Sequence, residues 1–291
     1  MRLSVVVTCT QPWPEVRGCL DRIAPQARCD DIEVIVADGS AGGLDAAAAD
    51  HVRWLRLPGR GPHELRLSSL EEARGDVVAI TEDHCDVALD WCAQVLEAHA
   101  RHADVDAIAG PVTNGAAERF ADRASFFLVH ARNLPGHDGR PVDWFPPAGS
   151  NVSYKRAQIM RALLRPGDLE LVVTPQLWAE GSLVLDENVV VAHSQSLALG
   201  AHVVNHFHSG RAHAGLVAER GLPARRRALA RDALAFPRRL VGATLDAGRA
   251  LPEHSREIRR ALPAMTLLAG AATAGYLAGI AGPGSSLRRL Q

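Results

Sequence analysis

Lysine is almost missing from this chain: of 32 basic residues only Lys155 is a lysine, and the alanine-rich background makes the arginine excess compositional rather than mechanistic. Excess charge of either sign is missing too. The 32 basic residues meet 33 acidic ones, a net charge of −1, so nothing global calls for nucleic acid or another polyanion as partner. Cysteine is sparse. Cys9, Cys19, Cys29, Cys85 and Cys92 form an odd set without a CxxC pair, which argues against a disulfide framework and a closed zinc site and points to a reducing compartment. The apolar strand behind Met1 and Arg2 is shorter than the hydrophobic region of a signal peptide, so an intracellular enzyme is expected. Charge itself is uneven, acidic from Cys29 to Asp50 and arginine-rich from Arg220 to Arg260.

What is present is an alternation of strand and helix. Residues 3–8, LSVVVT, read as a buried strand, 14–27 as a helix, 32–37 as a second strand, 63–74 as a helix and 77–81 as a third strand. That order predicts a parallel sheet with ligands at its carboxyl ends, where TCTQ, DGS and EDHC follow the three strands. The most informative segment is VVAITEDHC, 77–85, a doubly buried strand that runs into Glu82, Asp83 and His84. A helix at 90–101 and a strand at 105–110 continue the pattern.

Beyond Pro111 the pattern loosens into an aromatic-bearing helix at 119–134 and a proline- and glycine-rich connection at 135–150. A strand NVSY, helices at 156–164 and 168–180, and one strand LVLDENVVVAH ending at His193 complete the expected core. The tail differs in kind. Residues 261–281 carry no charge, and as a helix they would extend about 31 Å, close to the thickness of a bilayer core. Their alanines, glycines and Pro263 leave a full span in competition with a re-entrant or interface-lying arrangement. Upstream, Leu229, Ala233, Phe236 and Leu240 recur at helical spacing among arginines, and Pro237 is expected to split that segment into two helices on a membrane surface.

Taken together, TCTQ, ADGS, LRLSSLEEARGD, TEDHC, the NVSYKR box and LWAEG resemble a family 2 glycosyltransferase of the GT-A fold over residues 3–215. The resemblance implies an α/β architecture, a Rossmann-like mixed sheet flanked by helices, with a GT-A domain over 1–215 and a basic amphipathic and apolar helical tail over 216–291. That tail resembles the membrane-associated ends of some bacterial members.

The resemblance also implies roles, residue by residue. Thr8, Thr10 and Gln11 would approach the nucleotide, and Asp38 of VADGS would contact its base. Arg66 would face the diphosphate, although Leu67 and Ser69 replace the asparagine and glycine expected beside it. Glu82 and His84 occupy the acid positions of a DXD-like motif, with Asp83 between them. Asp83, His84 and His193 are the implied ligands of Mn²⁺ or Mg²⁺, with Glu82 and Asp83 on the donor side; a histidine in that motif favours manganese. Glu170 would be the base that takes the acceptor's proton, with Asp168 in reserve. Arg211, in a histidine-rich stretch with His202, His206, His208 and His213, would contact donor phosphates, while Trp144, Asn151 and Ser153 would line the acceptor side.

The expected activity is inverting, hexosyl-type transfer from a nucleoside-diphosphate sugar to a glycan or lipid-linked envelope acceptor, at the cytoplasmic side of a bacterial inner membrane. A nucleotidyltransferase is the enzymatic rival, but TCTQPWP lacks its glycine- and lysine-rich loop. A degenerate, non-catalytic nucleotide-sugar-binding scaffold on the membrane is the alternative from another class.

Overall fold

The computed structural model describes residues 2–10, 15–28, 31–40, 52–116, 118–136, 149–163, 173–219 and 226–281. These form two compact units, one of Met1–Gly115 with Asn133–Ser194 and one of Ala116–Arg132 with Gln195–Gln291. The boundary expected from the sequence lies between residues 215 and 216.

The first unit is built on a seven-stranded mixed sheet. Its strands are β1 (Leu3–Cys9), β2 (Ile32–Asp38), β3 (Val52–Arg56), β4 (Val77–Glu82), β6 (Ala107–Ala109), β8 (Val152–Lys155) and β9 (Leu183–Leu185), in spatial order β3-β2-β1-β4-β8-β6-β9. The first four are parallel, β8 runs against both β4 and β6, and β9 lies parallel to β6. All seven residues of β1 are buried, as expected of a strand covered on both faces. One face carries Val16, Leu20 and Ile23 of α1 (Glu15–Ile23) and Trp91 and Val95 of α3 (Trp91–Arg101). The other carries Leu70 of α2 (Pro62–Glu72), Ile159 of α5 (Arg156–Leu163) and Leu177 of α6 (Thr174–Ala179).

A small second sheet, β5 (Cys85–Val87), β10 (Val191–His193) and β7 (Val112–Asn114) in the order β5-β10-β7, holds the far side of the site. β5 and β10 run antiparallel with His193 opposite Cys85. Register does the same work in the large sheet, where Thr8 pairs with Glu82 and Cys9 with Asp38, so three strand ends finish level.

Several expectations change. The strand foreseen over 183–193 is two strands, β9 and β10, in different sheets. Asp186 divides them: its Oδ1 accepts the backbone N–H and side-chain amide of Asn188, both at 3.0 Å, in a turn that replaces the ladder. The strand at 105–110 shrinks to β6, and β3, β5 and β7 were not foreseen. β3 escapes the pattern because Arg53 and Arg56 interrupt its apolar residues.

The second unit is helical: α4 (Phe120–His130), α7 (Leu199–Glu219), α8 (Arg226–Ala250) and α9 (Pro252–Ala281). Pro237 does not split α8, which runs through it. α9 packs on α7, α8 and α4. Glycines on both helices, Gly275 of α9 and Gly210 of α7, explain how close the two come. A Cβ at Gly275 would stand 1.8 Å from the Phe207 carbonyl oxygen, and one at Gly210 would stand 1.9 Å from that of Ala272. The alanine- and glycine-rich composition of 261–281 is therefore used to bring backbone against backbone.

Candidate active site

The level strand ends bring Thr8, Asp38 and Glu82 to one edge of the first unit. Asp83 ties that edge together. Its backbone N–H donates to the Thr8 carbonyl at 3.1 Å, its Oδ2 accepts from the Thr10 N–H at 2.8 Å, and its Oδ1 lies 2.7 Å from His84 Nδ1. Asp38 is buried and accepts the Ser40 N–H at 2.8 Å in an Asx turn, with Arg56 Nε 4.0 Å from its other oxygen. Thr8 is buried as well, its hydroxyl directed to the Thr81 carbonyl.

Arg66 rises from the middle of α2, 2% exposed, and its Nη2 donates to Glu82 Oε1 at 2.6 Å. That bond holds Glu82 in place and leaves Oε2 turned toward His84 Nε2 at 3.3 Å. Across the β5–β10 pairing, His193 Nε2 stands 2.9 Å from His84 Nε2, with the rings edge to face. Glu82, His84 and His193 thus each offer one ligand atom, all within 4.8 Å of one another. One carboxylate and two imidazoles form a donor set suited to a divalent transition ion, and a carboxylate on the far nitrogen of a ligating histidine fixes its tautomer. Asp83 stands in that supporting place behind His84, with both of its oxygens engaged.

The electrostatics fit a cation. Burial would raise the Glu82 carboxyl, but its hydrogen bond with His84 and the charges of His84, Arg66 and His193 hold it well below the usual carboxylate range. Burial would lower His84, yet its hydrogen bonds to Asp83 and Glu82 push it up to about 10. Burial, followed by the charges of Asp83, Asp86 and Glu82, raises the Cys19 thiol and keeps it unreactive.

Other foreseen residues are placed differently. Asn151 is 1% exposed; its amide donates to the carbonyls of Pro111 and Val189, and its oxygen accepts from Trp91 Nε1 at 3.0 Å. Ser153 is buried between His99 Nε2, at 2.9 Å, and the Ile108 carbonyl. Both side chains are committed to the scaffold of the sheet. Arg211 is a half-buried residue of α7 in the second unit. There His202 pairs with Asp122 at 2.7 Å, His206 with Ser125 at 3.0 Å, and His213 sits against Phe236 and Tyr276. Asp122, which also accepts the Leu197 N–H and the Ser196 hydroxyl, escaped sequence reading because its partners lie more than seventy residues away. Gln11, Trp144, Asp168 and Glu170 lie outside the described residues.

The model of the family "Glycosyl transferase family 2" matches residues 4–165, more than half of the chain. The chain belongs to that family. Among solved structures this family 2 glycosyltransferase resembles the mannosyltransferase PcManGT from Pyrobaculum calidifontis, in complex with GDP-Man and Mn²⁺, at 18% identity and a TM-score of 0.58, covering 95% of this chain and 87% of that one. S. aureus TarS 1-349 in complex with UDP-GlcNAc aligns at 13% identity and a TM-score of 0.47, over 95% and 90% of the two chains. No curated protein matches the sequence. The fold of the glycosyltransferase is the GT-A mixed sheet with flanking helices, and its last described element is an apolar helix.

Proposed function

We propose that this glycosyltransferase moves a sugar, with inversion, from a nucleoside diphosphate to a glycan or lipid-linked acceptor at the cytoplasmic face of a bacterial inner membrane, using a divalent ion. The observation that carries the reading is the convergence of Glu82, His84 and His193 at the carboxyl edge of parallel strands, where α/β sheets bind nucleotides. PcManGT was solved with GDP-Man and Mn²⁺, which agrees with that donor class and ion. Mn²⁺ suits the two imidazoles better than Mg²⁺; held by Glu82, His84 and His193, it would offset charge on the departing diphosphate.

The chain's own residues take the remaining tasks. Arg66 fixes the Glu82 carboxylate and Asp83 fixes the His84 ring, so the ligand atoms are positioned before the donor arrives. Asp38 offers a carboxylate to donor NH groups of the base. Glu170, with Asp168 in reserve, takes the proton of the acceptor hydroxyl. That oxygen forms the new bond to the anomeric carbon as the bond to the diphosphate oxygen breaks on the opposite face. Exchanging Glu170 for glutamine should cut turnover by at least about 100-fold while nucleotide binding persists. Turnover that survives in E170Q and disappears in D168N would transfer the base to Asp168.

A further inference from the structure

From Pro263 to Leu277, about four turns, the outward face of α9 carries no charge, although it is the exposed side of a helix packed on protein. Positions 256, 260, 263, 267, 270, 274 and 277 follow one another at spacings of four and three and are all exposed. The first two are Arg256 and Arg260; the rest are Pro263, Leu267, Gly270, Ala274 and Leu277, with Leu267 50% and Leu277 39% exposed. Less than half, 44%, of the most apolar 18-residue stretch of the helix is buried. The hydroxyls beside this stripe are bonded back to the helix's own backbone, Thr266 to the Leu262 carbonyl and Thr273 to that of Ala269, each at 2.8 Å.

At the head of the stripe, Arg256, Arg259 and Arg260 line an open cleft of about 550 Å³ with Ser255 and Pro252. Arg259 donates to the Ser255 hydroxyl. Among the described residues no carboxylate lies within ion-pair distance of the three guanidinium groups, and Glu253 and Glu257 of the same segment form no bridge with them.

We infer that α9 lies in the plane of an anionic membrane, its apolar stripe against the acyl chains and Arg256, Arg259 and Arg260 on lipid phosphates. The inference rests on the membrane-face reading above and replaces a crossing helix with an in-plane one. A crossing α9 would draw its partners into lipid as well. α8 exposes Arg238, Arg239, Asp246 and Arg249, and each charge costs at least about 2.5 kcal/mol at bilayer depth. A helix with protein on one side and an apolar face with an arginine collar on the other is built for the interface.

The test is flotation of the full chain with vesicles of phosphatidylcholine alone or mixed with phosphatidylglycerol, at low and high salt. Binding is expected only to the anionic vesicles and should weaken with salt. The variant R256Q/R259Q/R260Q should bind on the order of 100-fold more weakly, and L267E/L277E should not bind. Nucleotide binding, unchanged in both, reports that they are folded. A fluorescent amino acid at position 267 or 277, about 15 Å apart along the helix, should be quenched equally by shallowly brominated lipids. Quenching at clearly different depths would establish a crossing helix and overturn the proposal. Equal binding to both vesicle types, unaffected in the arginine variant, would overturn it while the membrane reading survives. No binding to any vesicle would remove both, and an oligomer dissolved by L267E/L277E would assign the stripe to a second copy.

Discussion

His99 shows what a single polar side chain contributes to this scaffold. It is 2% exposed, bonded through Nε2 to the Ser153 hydroxyl, and burial lowers it to about 4, with help from the nearby charges of Lys155 and His102. The unfolded chain protonates this ring near 6.5, so between about 4 and 6.5 the unfolded state binds the extra proton. Stability is therefore whole above 6.5 and falls as pH drops through that window, by up to about 3 kcal/mol from this residue. Urea unfolding of His99→Gln across pH 4–7 should show a shallower slope than the parent. An unchanged slope would leave His206, also lowered to about 4, as the titrating group. At this scale the sequence marks which residue types matter better than what they touch. Glu82, Asp83 and His84 are conspicuous because acids and a histidine follow a buried strand. The exchange that leaves Glu82 with the histidines and Asp83 behind one of them depends on rotamers set by Arg66, sixteen residues earlier, and by the Thr10 N–H.

Elements are legible where periodicity is strong and long. α2, α3, β1, β2 and β4 lie within two residues of their expected bounds; α3 and the strands keep their apolar pattern up to a polar boundary, while α2 is bracketed by Pro62 and by the polar run before β4. The three-residue strands β5, β7 and β10 are too short to carry a period and exist by pairing with one another. α9 is the instructive case. Its small residues can be read as membrane-like from composition, whereas the structure uses Gly275 of α9 and Gly210 of α7 for backbone contact between the two helices. Gly275→Ala should destabilise the protein by roughly 1–3 kcal/mol, because the added methyl meets the Phe207 carbonyl. Gly270→Ala, with open space around it, should be neutral or stabilise by up to about 1 kcal/mol. Thermal unfolding of the two variants distinguishes packing from composition; equal shifts would refute the close helix contact.

For the molecule as a whole, the sequence conveys class and order of elements, while the division into units is a property of contacts. α4 is a case in point: it stands in the middle of the chain yet belongs with the tail helices, through Asp122 and Ser125 to α7. The proposed activity uses a nucleotide edge in one unit and a basic, apolar-faced helix in the other. Its central claim is that Glu82, His84 and His193 hold a divalent ion against a nucleoside diphosphate. Calorimetry of UDP, GDP and dTDP with Mn²⁺, with Mg²⁺ and with chelator tests it most directly. The account predicts that one nucleotide binds with Mn²⁺, more weakly with Mg²⁺, and at least about 10-fold more weakly with chelator or in E82Q and H193Q. Nucleotide binding that is indifferent to metal and to these substitutions, or no binding at all, would contradict it.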